Sequence, residues 1–266
     1  MNRLVDKIKN KIVCIILHGK SIEELENRIE EFNNDNICWV SMNTFDIVQN
    51  NILNKINKQL DIIYHFSLHR GNIEIEVQIP NLKQAIDKGS LLITNKNLFI
   101  DAYTRLQQEE FINEYKDKVL LLDDIKTKAN IPLEKVEAGL PTICYILYSL
   151  IIMGASKIIV FGFDGSDYDI NTSDMNSYYK SDIVFSRTVL PKEKVENLAK
   201  GFLGSIGYDT LSINNNFLAI YEKIKSSFNL SELPIILNCS PISKIKVFKI
   251  IDYNEALEEC ERTYNV

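Results

Sequence analysis

The chain has 266 residues, 45% hydrophobic and 25% charged, which suits one globular domain with a sizeable core. Its net charge of −6 comes without any Lys/Arg-rich tract, so nucleic acid is not an expected partner, while anionic small molecules can still be held by local amides. Five scattered cysteines with no Cys-x-x-Cys pair argue against zinc or dithiol chemistry; no run approaches the ~20 apolar residues of a membrane span and no small-residue cleavage site follows Ile12–Leu17, so a cytoplasmic location is expected.

Short β-branched runs alternate with longer amphipathic ones, the pattern of a parallel sheet covered by helices. Lys11–Leu17, Ile37–Ser41, Ile62–Phe66, Leu91–Thr94, Val119–Leu122, Lys157–Phe161, Asp209–Ile213 and Ile235–Cys239 read as strands. They predict an α/β, Rossmann-like fold: a doubly wound, mostly parallel sheet of about eight strands with helices on both faces, an antiparallel edge being allowed. Between them, Ser21–Phe32 places Ile22, Leu25, Ile29 and Phe32 at helical spacing with glutamates in the first turn, where the helix dipole favours them. Leu140–Met153 is almost wholly apolar and predicts a helix buried on most sides, with Pro141 in its first turn. Pro191–Ile206 reads as a further amphipathic helix. Without a repeat or a Pro/Ser-rich linker, residues 1–266 are read as one domain, and the composition is compatible with a homo-oligomer.

Ligands in such a sheet sit beyond the carboxyl ends of the strands, so the residues just after each strand carry the functional argument. After the first strand, Gly19, Lys20 and Ser21 form a turn into a helix, which reads either as an anion site made of free amides or as an ordinary serine cap. Asn43, after the second strand, suits a ribose or base edge or simply a helix cap. His65 ends the third strand and is either an acid–base group or a structural histidine. After Lys157–Phe161 comes Gly162-Phe163-Asp164-Gly165, which opens a polar segment, residues 165–181, holding Asp167, Tyr168, Asp169, Tyr178 and Tyr179. That segment reads as a lid, drawn from residues too polar to bury, or as a solvated acidic loop.

These residues resemble a known group. Gly19-Lys20-Ser21-Ile22 is similar to the Gly-Pro-Ser-Leu turn of bacterial sialyltransferases that build host-mimicking surface glycans, and of the related archaeal 6-hydroxymethylpterin diphosphokinase-like proteins and flagellar motility accessory factors. Asn43 matches an asparagine after their second strand, and His65 lies near another nucleotide-contacting asparagine. Glu137-Ala138-Gly139 aligns with Thr-Ser-Gly at the head of the buried helix, and Gly162-Phe163-Asp164 with Gly-x-Asp. Leu211–Leu218 is similar to the strand and Pro-Asn-Ser turn of the sialyltransferases, and Asn238–Ser243 to the Asn-x-Ser turn of the diphosphokinase-like proteins.

The resemblance implies a nucleotide-dependent transferase, a glycosyltransferase using a nucleotide-activated sugar, with CMP-linked sugars among the donors, and a surface or flagellar glycan or glycoprotein as acceptor. Donor phosphates would lie over Gly19–Ser21 and Gly139, flanked by Gly162 and Gly165, with Asn43 toward the nucleoside, Tyr168, Tyr178 and Tyr179 on the leaving phosphate, and Asp164 or His65 as base. No metal or other cofactor is required for that reaction. An alternative is a diphosphokinase using ATP and Mg²⁺, with Asp164, Asp167 and Asp169 holding the metal. A third is a catalytically silent nucleotide-sugar-binding protein. Two departures bear on the choice: Ser177–Pro191 lacks the histidine that the sialyltransferases use as base, and Ala138 removes a hydroxyl.

Overall fold

β1 (Ile12–Ile16) lies inside the sheet because it is apolar on both faces. Val13 and Ile15 enter one core; Ile12, Cys14 and Ile16 enter the other. Such a continuous apolar run is what a parallel strand covered on both sides requires. The computed structural model describes residues 2–43, 45–65, 72–94, 109–128, 142–165, 213–215, 217–218, 222 and 234–262.

β2 (Ile37–Met42), β3 (Ile62–His65), β4 (Leu91–Thr94) and β5 (Val119–Leu121) step outward on one side of β1. The chain then crosses back, and β6 (Lys157–Phe161), β7 (Ile235–Cys239) and β8 (Lys249–Ile250) build the other side, giving the order β5-β4-β3-β2-β1-β6-β7-β8. Among the described residues all pairings in this sheet are parallel, and they form no antiparallel edge. The strand order reverses between β1 and β6, the switch point where an open α/β sheet leaves a crevice.

Of the strand expected at Asp209–Ile213, only Ile213 is described. Residues 209–212 lie outside the described residues and Ile213 starts a short helical stretch, 213–215, whereas the edge strand is the two-residue β8. The helix expected at Pro191–Ile206 also lies outside the described residues.

The buried helix of the sequence reading is Thr142–Ile152, whose Ile143, Cys144, Ile146, Leu147, Leu150 and Ile151 fill one core. The opposite core is covered by the Ile22–Arg28 helix, its continuation Ile29–Phe32 in a tighter 3₁₀ turn, the Phe45–Asn51 helix and the C-terminal Tyr253–Glu261 helix. Asp252 caps the last of these in a reciprocal capping box with Glu255. It is pinned to the sheet by the ion pair between buried Lys157 and Glu259. No described helix is long and apolar enough to cross a membrane.

Candidate functional site

Two polar clusters meet at the carboxyl ends of the strands, on either side of the end of β1. The first joins β1, β6 and β7 around Asp164, which is 4% exposed. Its Oδ2 accepts the Ser21 amide at 2.9 Å, and its Oδ1 accepts the Ser21 hydroxyl and, at 2.5 Å, the Ser240 hydroxyl. The Lys244 amide bonds the Asp164 carbonyl at 2.6 Å. Next to it, the Ser243 hydroxyl and the Asn238 amide reach the Phe163 carbonyl at 2.7 and 3.2 Å, lacing the loop after β6 to the loop after β7. From the other side the Tyr253 hydroxyl donates to the Ser21 carbonyl at 2.8 Å.

The glycines of this cluster have local reasons. A side-chain carbon on Gly19 would fall against the Gly162 carbonyl and 2.6 Å from the Asp164 carboxyl carbon, so the turn is a glycine because β1 and β6 close on each other there. Gly162 has φ +69°, and a Cβ there would lie 2.9 Å from the Leu17 carbonyl oxygen. Gly165 also has positive φ, +63°. The Ser21 amide, which the sequence reading offers to a phosphate, is hydrogen-bonded to Asp164. Lys20 is exposed on the turn.

The second cluster joins β1, β2 and β3. His18 donates from Nε2 to the Met42 carbonyl at 3.0 Å, which fixes its tautomer. Asn43 sits at φ +49°, a conformation asparagine tolerates better than most residues, and its amide bonds the Tyr64 carbonyl at 2.7 Å. Asp46, in the first turn of the Phe45–Asn51 helix, is 5% exposed and accepts from the Asn81 side chain at 3.3 Å. His65 is 2% exposed, and neither ring nitrogen has a hydrogen-bond partner among the described residues.

Burial pushes His65 down to about pH 4, opposed by the Asp46 carboxylate. Burial likewise pushes His18 down to about 4, opposed by its bond to Met42 and again by Asp46. Both imidazoles are therefore neutral near pH 7. An orphaned buried polar ring forfeits its hydrogen bonds to water, a loss on the order of 1–3 kcal/mol, and therefore calls for an explanation.

The structure thus brings Gly19, Ser21, Gly162 and Asp164 together in one cluster, and Asn43 and His65 in another. Gly139, Tyr168, Tyr178, Tyr179, Asp167, Asp169 and the lid segment beyond Gly165 lie outside the described residues. Among the described residues no group of three or more His, Cys, Asp or Glu side chains is arranged to hold a metal ion. The sequence reading named Ser240 only as part of the Asn-x-Ser resemblance, and it gave no role to Ser240, His18 or Asp46. Ser240 and His18 stand next to strand ends and were open to selection on that ground; Asp46 looked like any acid in a first helical turn.

No family model matches this sequence, and no curated protein matches it. Among solved structures, the chain is similar to the monofunctional alpha-2,3-sialyltransferase of Campylobacter jejuni over 88% of this chain and 78% of that one, with a TM-score of 0.50 and 17% sequence identity. At that identity the likeness is one of fold: an α/β, Rossmann-like sheet.

Proposed function

We propose that this chain is a nucleotide-dependent transferase, a glycosyltransferase that moves a sugar from a nucleotide-activated donor, CMP-linked sugars included, to a hydroxyl of a surface or flagellar glycan. The observation that carries the reading is His65: a neutral, buried imidazole with two unpaired nitrogens at the carboxyl end of a central parallel strand. The likeness in fold to a sialyltransferase supports the class of reaction.

In the proposed reaction the acceptor oxygen attacks the anomeric carbon, the bond from that carbon to the donor phosphate breaks, and His65 takes the hydroxyl proton. Asn43 lies toward the nucleoside, and Tyr168, Tyr178 and Tyr179 stabilise the leaving phosphate. Asp164 fits such a scheme as the group that holds the Gly19–Ser21 turn, since both of its oxygens already accept hydrogen bonds from the chain.

A thermal-shift screen of nucleotides and nucleotide sugars, with and without Mg²⁺, tests the reading. A ligand that binds only the folded state at 100 times its Kd adds about 2.7 kcal/mol, a readable shift. Stabilisation by one nucleotide class without Mg²⁺ is expected, and His65→Gln should keep that shift while losing sugar transfer. A shift that appears only with ATP and Mg²⁺ would favour the diphosphokinase, binding without donor turnover the silent protein, and no shift with any nucleotide would remove all three.

A further inference from the structure

We infer that Cys14 and Cys260 are a modification site, a thiol pair that an oxidised low-molecular-weight thiol converts into an intramolecular disulfide joining β1 to the C-terminal helix. The inference is independent of the transferase reading. All five cysteines are buried thiols, and no Cys-x-x-Cys spacing marks a pair. The fold nevertheless brings the sulfurs of Cys14 and Cys260 to 4.0 Å of each other across 246 residues of sequence. A buried cysteine is ordinarily a small hydrophobe, and that role needs no second sulfur beside it. Cys14 faces the core that the Tyr253–Glu261 helix covers, and Cys260 stands in the last turn of that helix. Cys239, at the end of β7, belongs to the same core and is the competing partner.

While the helix is seated the pair is protected. Burial, and after it the hydrogen bond and charge of Cys260, push the Cys14 thiol well above its usual range, so the thiolate that attacks a disulfide is scarce. Oxidation therefore starts at the last turn, where the helix ends at Glu261 and the Asn34 side chain donates to the Cys260 carbonyl at 3.2 Å. Chain-terminal turns open locally at a lower free-energy cost than the core. With that turn lifted, the Cys260 thiolate attacks oxidised glutathione: a bond forms to one of its sulfurs, the glutathione S–S bond breaks, and one glutathione leaves. Cys14 then gives its proton to water, and its thiolate attacks Cys260 Sγ, forming the protein disulfide and expelling the second glutathione. Two protein thiols are oxidised and one glutathione disulfide is reduced to two thiols. The Tyr253 hydroxyl, on the same helix, donates to the Ser21 carbonyl at 2.8 Å, so the latch fixes the helix that braces the Gly19–Ser21 turn.

The whole chain, incubated folded in oxidised glutathione and afterwards in dithiothreitol, tests the site. Remaining thiols are alkylated after denaturation, and the digest is mapped by mass spectrometry without reduction. A peptide pair linking Cys14 to Cys260, absent from the reduced sample, is expected. Because the link closes nearly the whole chain into one loop, the oxidised protein also melts at a higher temperature, and dithiothreitol reverses both changes. Cys260→Ala, in the last turn of the last helix, removes the link and the rise in melting temperature together. The map of the wild type needs no variant, so the test stands even if that one fails to fold. Thiols that all stay reduced, a mixed disulfide with glutathione as the final product, or a link made through Cys239 instead would each overturn the inference and leave the sulfur contact as packing.

Discussion

The Asp164 corner and the His65 corner share the end of β1, yet they treat buried polar groups in opposite ways. At Asp164 both carboxylate oxygens are taken, by Ser21 twice and by Ser240, and the turn glycine is packed against the acid it helps to seat. At His65 a ring just as buried keeps two nitrogens without a partner. A satisfied cluster holds strands in register, whereas an unsatisfied one stores capacity for a hydrogen bond that something else must make. The difference separates architecture from chemistry at the same edge of one sheet.

The largest expected effect strikes the closed corner. Gly19→Val must place a branched side chain against the Gly162 carbonyl and within 2.6 Å of a carboxyl carbon held by three hydrogen bonds, so neither neighbour can yield cheaply. A loss of about 3 kcal/mol or more is expected, the upper end of overpacking. Urea denaturation measures it. A Gly19→Val protein as stable as the wild type would mean that the corner is looser than its contacts imply.

Next comes the acid itself. Asp164→Asn keeps the shape but turns an acceptor into a donor facing Ser21 or Ser240, at an expected cost of about 2–3 kcal/mol, read as a lower urea midpoint with an unchanged slope. Ser240→Ala, which removes one donor and leaves the carboxylate its other two bonds, should cost about 1 kcal/mol. If Asp164→Asn were as stable as the wild type yet failed in sugar transfer, the closed corner would be catalytic and the contrast would collapse.

Much of this contrast was legible in the sequence, though not its sense. The positions of seven strands, the buried helix and the placing of Gly19, Asn43, His65 and Asp164 at one edge followed from period and from the strand-end rule. Whether a serine amide meets a phosphate or an aspartate from β6 depends on a partner 143 residues away, which no local pattern encodes. The helix Asn72–Asp87 carries Pro80 inside it, a residue that ordinarily breaks helices, and was not anticipated. The C-terminal helix was not anticipated either, although Asp252 and Glu255 have the spacing of a capping box. Strand β8, two residues long, has no period to read.

A third expectation concerns acid. His65 titrates near 4 in the folded chain against about 6.5 when exposed, so the unfolded chain takes the proton first. Stability is full above about pH 6.5 and is lost as pH falls toward 4, with His65 responsible for about 2 kcal/mol at pH 5. Urea midpoints at pH 7.5 and 5.0 check the sign, and His65→Gln should shrink the difference between them. A difference of the same size in the variant would assign the acid sensitivity to other groups.

The smallest expected effect on stability is also the one that separates the corners most sharply. His65→Leu replaces an orphaned ring with an apolar group in a buried position, so it removes an uncompensated polar group rather than a bond. The branched shape and slightly larger volume of leucine oppose that gain, and the two should leave stability within about 1 kcal/mol of the wild type, on either side. Sugar transfer, by contrast, should be lost, because the group that takes the acceptor's proton is gone, while the nucleotide-induced thermal shift is kept. Unfolding curves and transfer assays on the same preparation give both numbers. A His65→Leu chain destabilised as strongly as Asp164→Asn would show that the ring is tied into the fold after all, and the two corners would then be one kind of structure.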